Sequence, residues 1–138
     1  MATKLKTLLR PQRLRRVPAQ FSWVDQRLVR EGFIRCCDPP AAALYLFLLT
    51  VGDAQGLSFW GDAALCTELH LSPGQLGVAR ERLIRADLIA FQAPLYQVLS
   101  LPEALAPAAL PATPKALDRA RGREQLRRLL EQLGRPHD

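Results

Sequence analysis

The sequence predicts a mainly α-helical domain closed by a small β-wing, and three observations carry that expectation. The run from Ala41 to Val51 is almost wholly apolar, and alanine and leucine dominate it over β-branched residues, so it reads as a helix buried on most sides. Ser72-Pro73-Gly74-Gln75 is a strong helix start: serine at the cap, proline at the first helical position, and glutamine three residues on to complete a capping box. Two β-type runs, Leu88 to Gln92 and Leu95 to Leu101, meet at Ala93-Pro94, which makes a tight hairpin.

The remaining elements follow in order. Residues 1–20 hold Pro11 and Pro18 and no sustained period, which predicts a basic flexible arm, ordered at most on contact. Ser22 is expected to cap a short helix, with Asp25 reaching back to the free amides, Trp23, Val24, Leu28 and Val29 supplying apolar contacts, and Gly32 ending it. Asp38-Pro39-Pro40 starts the apolar helix. Gly52 to Gly56 is a turn, and Leu57 to Trp60 a short strand. Asp62 is expected to cap a helix from Ala63 to Leu69, with Ala64, Leu65 and Leu69 facing the core and His70-Leu71 as the turn beyond it. In the helix opened by Ser72, Leu76, Ala79 and Leu83 share one face and pack inward. Asp87 stands where a left-handed residue closes such a helix, a conformation aspartate tolerates.

Helix, strand, helix, turn, helix and hairpin is the order of a winged helix-turn-helix, here residues 21–101. Residues 102–113 are rich in proline and alanine and read as a semi-stiff linker. Residues 114–138 read as an amphipathic basic helix, stopped by Gly134 and Pro136. Its stripe of Leu126, Leu129, Leu130 and Leu133 suits packing on its own domain or on a second copy as a homodimer.

Charge is unevenly spread. Residues 1–20 carry +6 through Lys4, Lys6, Arg10, Arg13, Arg15 and Arg16 with no acid; residues 21–101 carry −2 and residues 102–138 carry +2. A basic arm on a near-neutral core suits a partner with a phosphate backbone, because that attraction needs charge density and not a shaped pocket. Three cysteines, Cys36, Cys37 and Cys66, form no spaced framework, so a reducing, cytoplasmic setting is expected. The apolar stretch from Ala41 to Val51 is too short to span a bilayer, and the N-terminus lacks a secretory pattern.

The helix opened by Ser72 turns Gly77, Val78, Glu81, Arg82 and Arg85 outward. On double-stranded DNA, Gln75 and Val78 would meet base edges in the major groove, with glutamine favouring adenine and the apolar group the thymine methyl. Arg82 and Arg85 would lie nearer phosphates, and Arg13, Arg15 and Arg16 of the arm would follow the backbone or a narrow minor groove. The bland alternative makes these arginines solvated surface charges. No enzyme, metal or cofactor is expected. Ser58, His70 and Asp62 have no pattern that assembles a triad; Cys66 and His70 share a helix face, but adjacent Cys36 and Cys37 are poor chelators; and no glycine-rich phosphate loop occurs.

Val24-Asp25-Gln26-Arg27-Leu28, Leu44-Tyr45-Leu46, Asp53-Ala54-Gln55-Gly56-Leu57-Ser58, Leu83 to Ile89 and Tyr96-Gln97-Val98-Leu99-Ser100-Leu101 together resemble winged-helix proteins of bacterial plasmids and mobile elements, including DNA-binding domains of plasmid replication initiators. The resemblance covers Phe21 to Leu101, rather more than half the chain. It implies sequence-selective duplex binding in transcriptional or replication control, through Gln75 and Val78 with Arg82 behind them. The chain departs from that pattern in having Val78 where a polar or basic residue often sits, Asp87 where glycine is usual, and an uncharged wing tip at Gln92-Ala93-Pro94. The alternative expectation is a protein-interaction adaptor inside a larger nucleoprotein complex. If the leucine stripe mediates self-association, Leu129→Asp lowers the mass seen by light scattering from dimer to monomer; a monomeric parent protein ends that reading.

Overall fold

The computed structural model describes residues 5–104 and the helical pair Arg127 and Arg128. The fold is built on α2 (Pro39–Val51). Asp38 caps it, its carboxylate accepting the Ala41 amide at 3.1 Å, and prolines fill the first positions, where no intrahelical donor is needed. Leu44 and Leu48 of α2 are fully buried, with Ala41 and Tyr45 beside them. Leu46 points away from this seam and is exposed.

α4 (Pro73–Arg85) makes the broadest helix contact with α2, and α3 (Asp62–Leu69) packs on α4. The expected capping box is present: Ser72 Oγ accepts the Gln75 amide at 3.1 Å, and Gln75 Oε1 accepts the Ser72 amide at 2.9 Å. Leu76, Ala79 and Leu83 are fully buried, as their spacing requires. At the other end Asp87 takes φ +61°, and the Leu88 amide donates to the Leu83 carbonyl while the Asp87 amide donates to that of Ile84, both at 3.0 Å. That is a Schellman closure with aspartate in the left-handed position.

The three strands form one antiparallel sheet in the order β1 (Leu57–Phe59), β3 (Leu95–Val98), β2 (Ile89–Gln92). Gln92 pairs with Leu95 across the Ala93-Pro94 turn, whose peptide bond is cis. Gly56, at φ +81°, leads into β1 so close to β3 that a Cβ there would lie 2.5 Å from the Val98 carbonyl oxygen, so only glycine fits. The whole is mainly helical with a small sheet, its core running from Phe33 through α2 and α4 to Leu88, Ile89 and Tyr96.

Four expectations need correction. The first helix does not start at Ser22: α1 spans only Arg27–Arg30, and the Ser22 hydroxyl donates to the Thr50 carbonyl at the end of α2. Asp25 instead binds the Arg27 amide at 2.9 Å and its guanidinium at 3.1–3.2 Å. Of the four apolar residues assigned to that helix only Leu28 packs on the core, while Trp23, Val24 and Val29 are exposed and Phe33, on the 3-10 turn after Gly32, is buried. Asp62 is the first residue of α3 and not its cap, which is Gly61; its carboxylate is taken by Arg80. Ala64 is exposed, and Cys66 packs beside Leu65 and Leu69 in its place, since Ala64 lies about 140° round the helix from Leu69 and Cys66 only about 60°.

Residues 5–20 are exposed throughout, with a single 3-10 turn at Pro11–Arg13. The expected linker and the leucine stripe lie outside the described residues. Leu48→Ala is expected to lower unfolding free energy by about 2–5 kcal/mol in urea titration, and Leu46→Ala by less than about 0.5 kcal/mol.

Candidate nucleic-acid interface

With Leu76, Ala79 and Leu83 buried against α2, helical geometry aims the opposite face of α4 outward, and that face carries Gly74, Gly77, Val78, Glu81 and Arg85. The turn from α3 is short and defined: His70 takes φ +54°, and the Leu71 amide donates back to the Cys66 carbonyl at 3.1 Å. Two helices joined in this way hold the start of α4 at a fixed angle to the domain.

Of the residues assigned from sequence to base contact, Gln75 and Val78 both lie exposed in the first half of α4, Val78 at 53%. Gln75 has its carbonyl oxygen committed to the Ser72 amide, which holds its side chain across the helix start. Gly77 meets no atom within 4 Å of where a Cβ would stand. Glycine inside a helix costs about 0.5–1 kcal/mol relative to alanine, and nothing within the described domain requires it here. The result is a low, backbone-rich strip beside Val78.

The arginines behave differently. Arg82 leaves the outer face and reaches toward the start of α2, where its Nε lies 3.4 Å from Asp38 Oδ2, so Asp38 both caps α2 and ties it to α4. Arg85 stays outside with Glu81 at 4.0 Å, a contact one turn back along the helix. Arg80, to which the sequence assigned no role, is the most buried of the three. Its side chain is only 16% exposed, its Nη2 meets Asp62 Oδ1 at 2.7 Å, and its guanidinium lies 4.3 Å from the Phe91 ring centre. It therefore joins α3, α4 and β2 in one contact. Its place on the wheel, between buried Leu76 and Leu83 and partly exposed Ile84, was the available signal.

Each arginine on α4 thus faces a carboxylate, and the hairpin tip Gln92-Ala93-Pro94 is exposed and uncharged. Arg13, Arg15 and Arg16 are exposed, and no side-chain hydrogen bond or ion pair links them to another described residue. The structure does not gather them beside α4. The arginines of α4 are therefore paired, whereas those of the arm, like Arg30 and Arg35 on the domain, are exposed with no ion pair among the described residues.

Among the described residues no three histidine, cysteine or acidic side chains gather as a metal site would need, and no helix is long and apolar enough to cross a membrane. Burial pushes the Cys37 thiol up to about 11, with the neighbouring Cys36 and Asp38 adding to the rise, so this thiol is a poor nucleophile at neutral pH. Comparison with protein-family models, curated proteins and solved structures finds no match to the chain.

Arg80→Ala removes an ion pair and a ring contact together and is expected to cost about 1–2 kcal/mol in chemical denaturation. Arg85→Ala, with both partners well exposed, is expected to stay within about 0.5 kcal/mol of the parent.

Proposed function

We propose that this chain is a non-enzymatic, sequence-selective double-stranded DNA-binding protein of the winged helix-turn-helix type, serving a transcriptional or replication function. In this reading α3 and α4 are the helix pair, β2 and β3 are the wing, and the outer face of α4 enters the major groove. The observation that carries it is the strip at Gln75, Gly77 and Val78: open to solvent, rigidly capped, and holding a helix glycine that no described neighbour requires. A glycine kept at a cost to the helix fits a face that another molecule approaches closely. Gln75 and Val78 supply a polar and an apolar contact to base edges. Arg82 and Arg85 hold half-exposed or exposed carboxylate pairs, weak enough for phosphate to take the place of the acid.

Affinity in this reading comes chiefly from the arm, where Arg13, Arg15 and Arg16 neutralise phosphates or lie in a narrow minor groove. The second reading is a winged-helix adaptor that meets a protein partner through the same strip. It is favoured by the paired arginines of α4 and the uncharged hairpin tip, since a surface without free positive charge draws little from a phosphate backbone.

Selection from random duplex followed by gel shift separates the two. On a selected site, Val78→Asp and Arg82→Ala each weaken binding, the former by at least about tenfold because it sets a carboxylate against the groove. Replacing Arg13, Arg15 and Arg16 together by alanine reduces the slope of log affinity against log salt by roughly 2–3. Selection that yields no site, or binding unmoved by all of these changes, leaves the adaptor reading in its place.

A further inference from the structure

An open cavity of about 460 Å³ runs as a groove between the strap Phe21–Asp25, the C-terminal end of α2, the turn that begins at Asp53, and the chain leaving β3. The strap is tied at both ends. The Ser22 hydroxyl donates to the Thr50 carbonyl at 3.2 Å, and Asp25 binds Arg27, which in turn donates to the Pro102 carbonyl at 3.5 Å. Between these ties Trp23 is 74% exposed, and Phe21 just before them is 65% exposed, although both line the groove. Leu48, Leu49 and Leu101 continue its apolar wall. Two uncovered aromatic rings on a tied strap, beside an apolar groove, mark a surface for contact.

This chain carries a segment suited to cover it. The stretch Val98 to Leu101 is itself part of the groove wall, so residues 105–138 depart from its edge. Among them Leu126, Leu129, Leu130 and Leu133 are spaced as one stripe of a helix. Arg127 and Arg128, the pair described within that stretch, are helical and exposed, as residues off such a stripe should be. Residues 102–113 span at most roughly 40 Å when extended, which is ample for the segment to turn back on the groove. Charge agrees. Asp25 and Asp53 line the groove and no lysine, arginine or histidine does. Arg27 answers Asp25, whereas Asp53, exposed in its turn, has no ion pair among the described residues. Residues 114–138 hold seven lysines and arginines against four acids, a net +3.

We propose that the leucine stripe of residues 114–138 docks in this groove of its own chain, with its leucines against Phe21, Trp23 and Leu49 and its basic flank toward the turn at Asp53. The same chain is favoured over a second copy because the tether begins in the groove wall, and a short tether holds its end at an effective concentration of about millimolar. Neither surface belongs to the α4 face or to the N-terminal arm, so the docking is independent of the DNA reading.

The test uses the full chain carrying Trp60→Phe, which keeps an aromatic ring against Phe47 and leaves Trp23 as the one indole. Acrylamide quenching then reads how far Trp23 is covered. In the parent, quenching is expected to be severalfold weaker than in urea, and Leu130→Asp, which sets a carboxylate in the stripe, is expected to raise it severalfold. Gln132→Asp, roughly 110° round the helix from the middle of the stripe, is expected to leave it unchanged. If Leu130→Asp does not fold, Leu126→Asp decides. Trp23 protection is expected to persist on dilution, with light scattering giving the mass of one chain. A Trp23 as open to quencher in the parent as in urea, protection that survives Leu130→Asp, or equal loss with Gln132→Asp overturns the proposal. Protection that falls on dilution, or a two-chain mass that Leu130→Asp halves, gives the groove to a second copy and overturns it as well.

Discussion

Everything in this domain is referred to the apolar seam where Leu44 and Leu48 of α2 meet Leu76, Ala79 and Leu83 of α4. Burying these side chains sets the rotation of α4, and rotation decides which residues remain for contact with anything else. Once the leucines point inward, a helix of 3.6 residues per turn has no freedom in where it puts Val78, Glu81 and Arg85. The same seam brings Arg82 to the N-terminus of α2, so that Asp38 serves two helices at once.

The seam leaves the flanks of α4 to electrostatics. On one flank Arg82 meets Asp38; on the other Arg80 crosses to Asp62 and covers Phe91. Arg80 matters more than its charge suggests, since a nearly buried guanidinium that touches two other elements sets the angle of the sheet against the helix pair. These contacts also leave α4 electrically self-contained. The arginines of that helix are engaged locally, whereas those of the arm are not tied to the domain. A division of roles follows for the proposed function, in which shape resides in the domain and long-range attraction in the arm.

Local signals were read well where one residue's preference was enough. The Ser72 cap, the inward stripe of α4, the left-handed Asp87 and the Ala93-Pro94 turn all concern residues within a few positions of one another. Expectation and structure part where a polar side chain finds a partner remote along the chain. Ser22 and Asp62 are good caps in isolation, yet each finds a partner far along the chain: the Thr50 carbonyl for Ser22 and the Arg80 guanidinium for Asp62. Trp23 and Val29 also depart from expectation: both are exposed, and Phe33, a few residues on, is the aromatic side chain that enters the core.

Sequence by itself determined the starts of α2 and α4, the turn of the hairpin, which face of α4 is buried, and that excess positive charge lies outside the folded part. Those properties follow from backbone preferences, from periodicity and from composition, all of which act over short stretches of chain. Tertiary structure alone decided which carboxylate each arginine meets, that the Phe21–Asp25 strap lies as an uncapped segment over the end of α2, and that an acidic, aromatic cavity exists beneath it. Such pairings depend on distances between residues remote along the chain, and those distances are set only when the apolar seam closes.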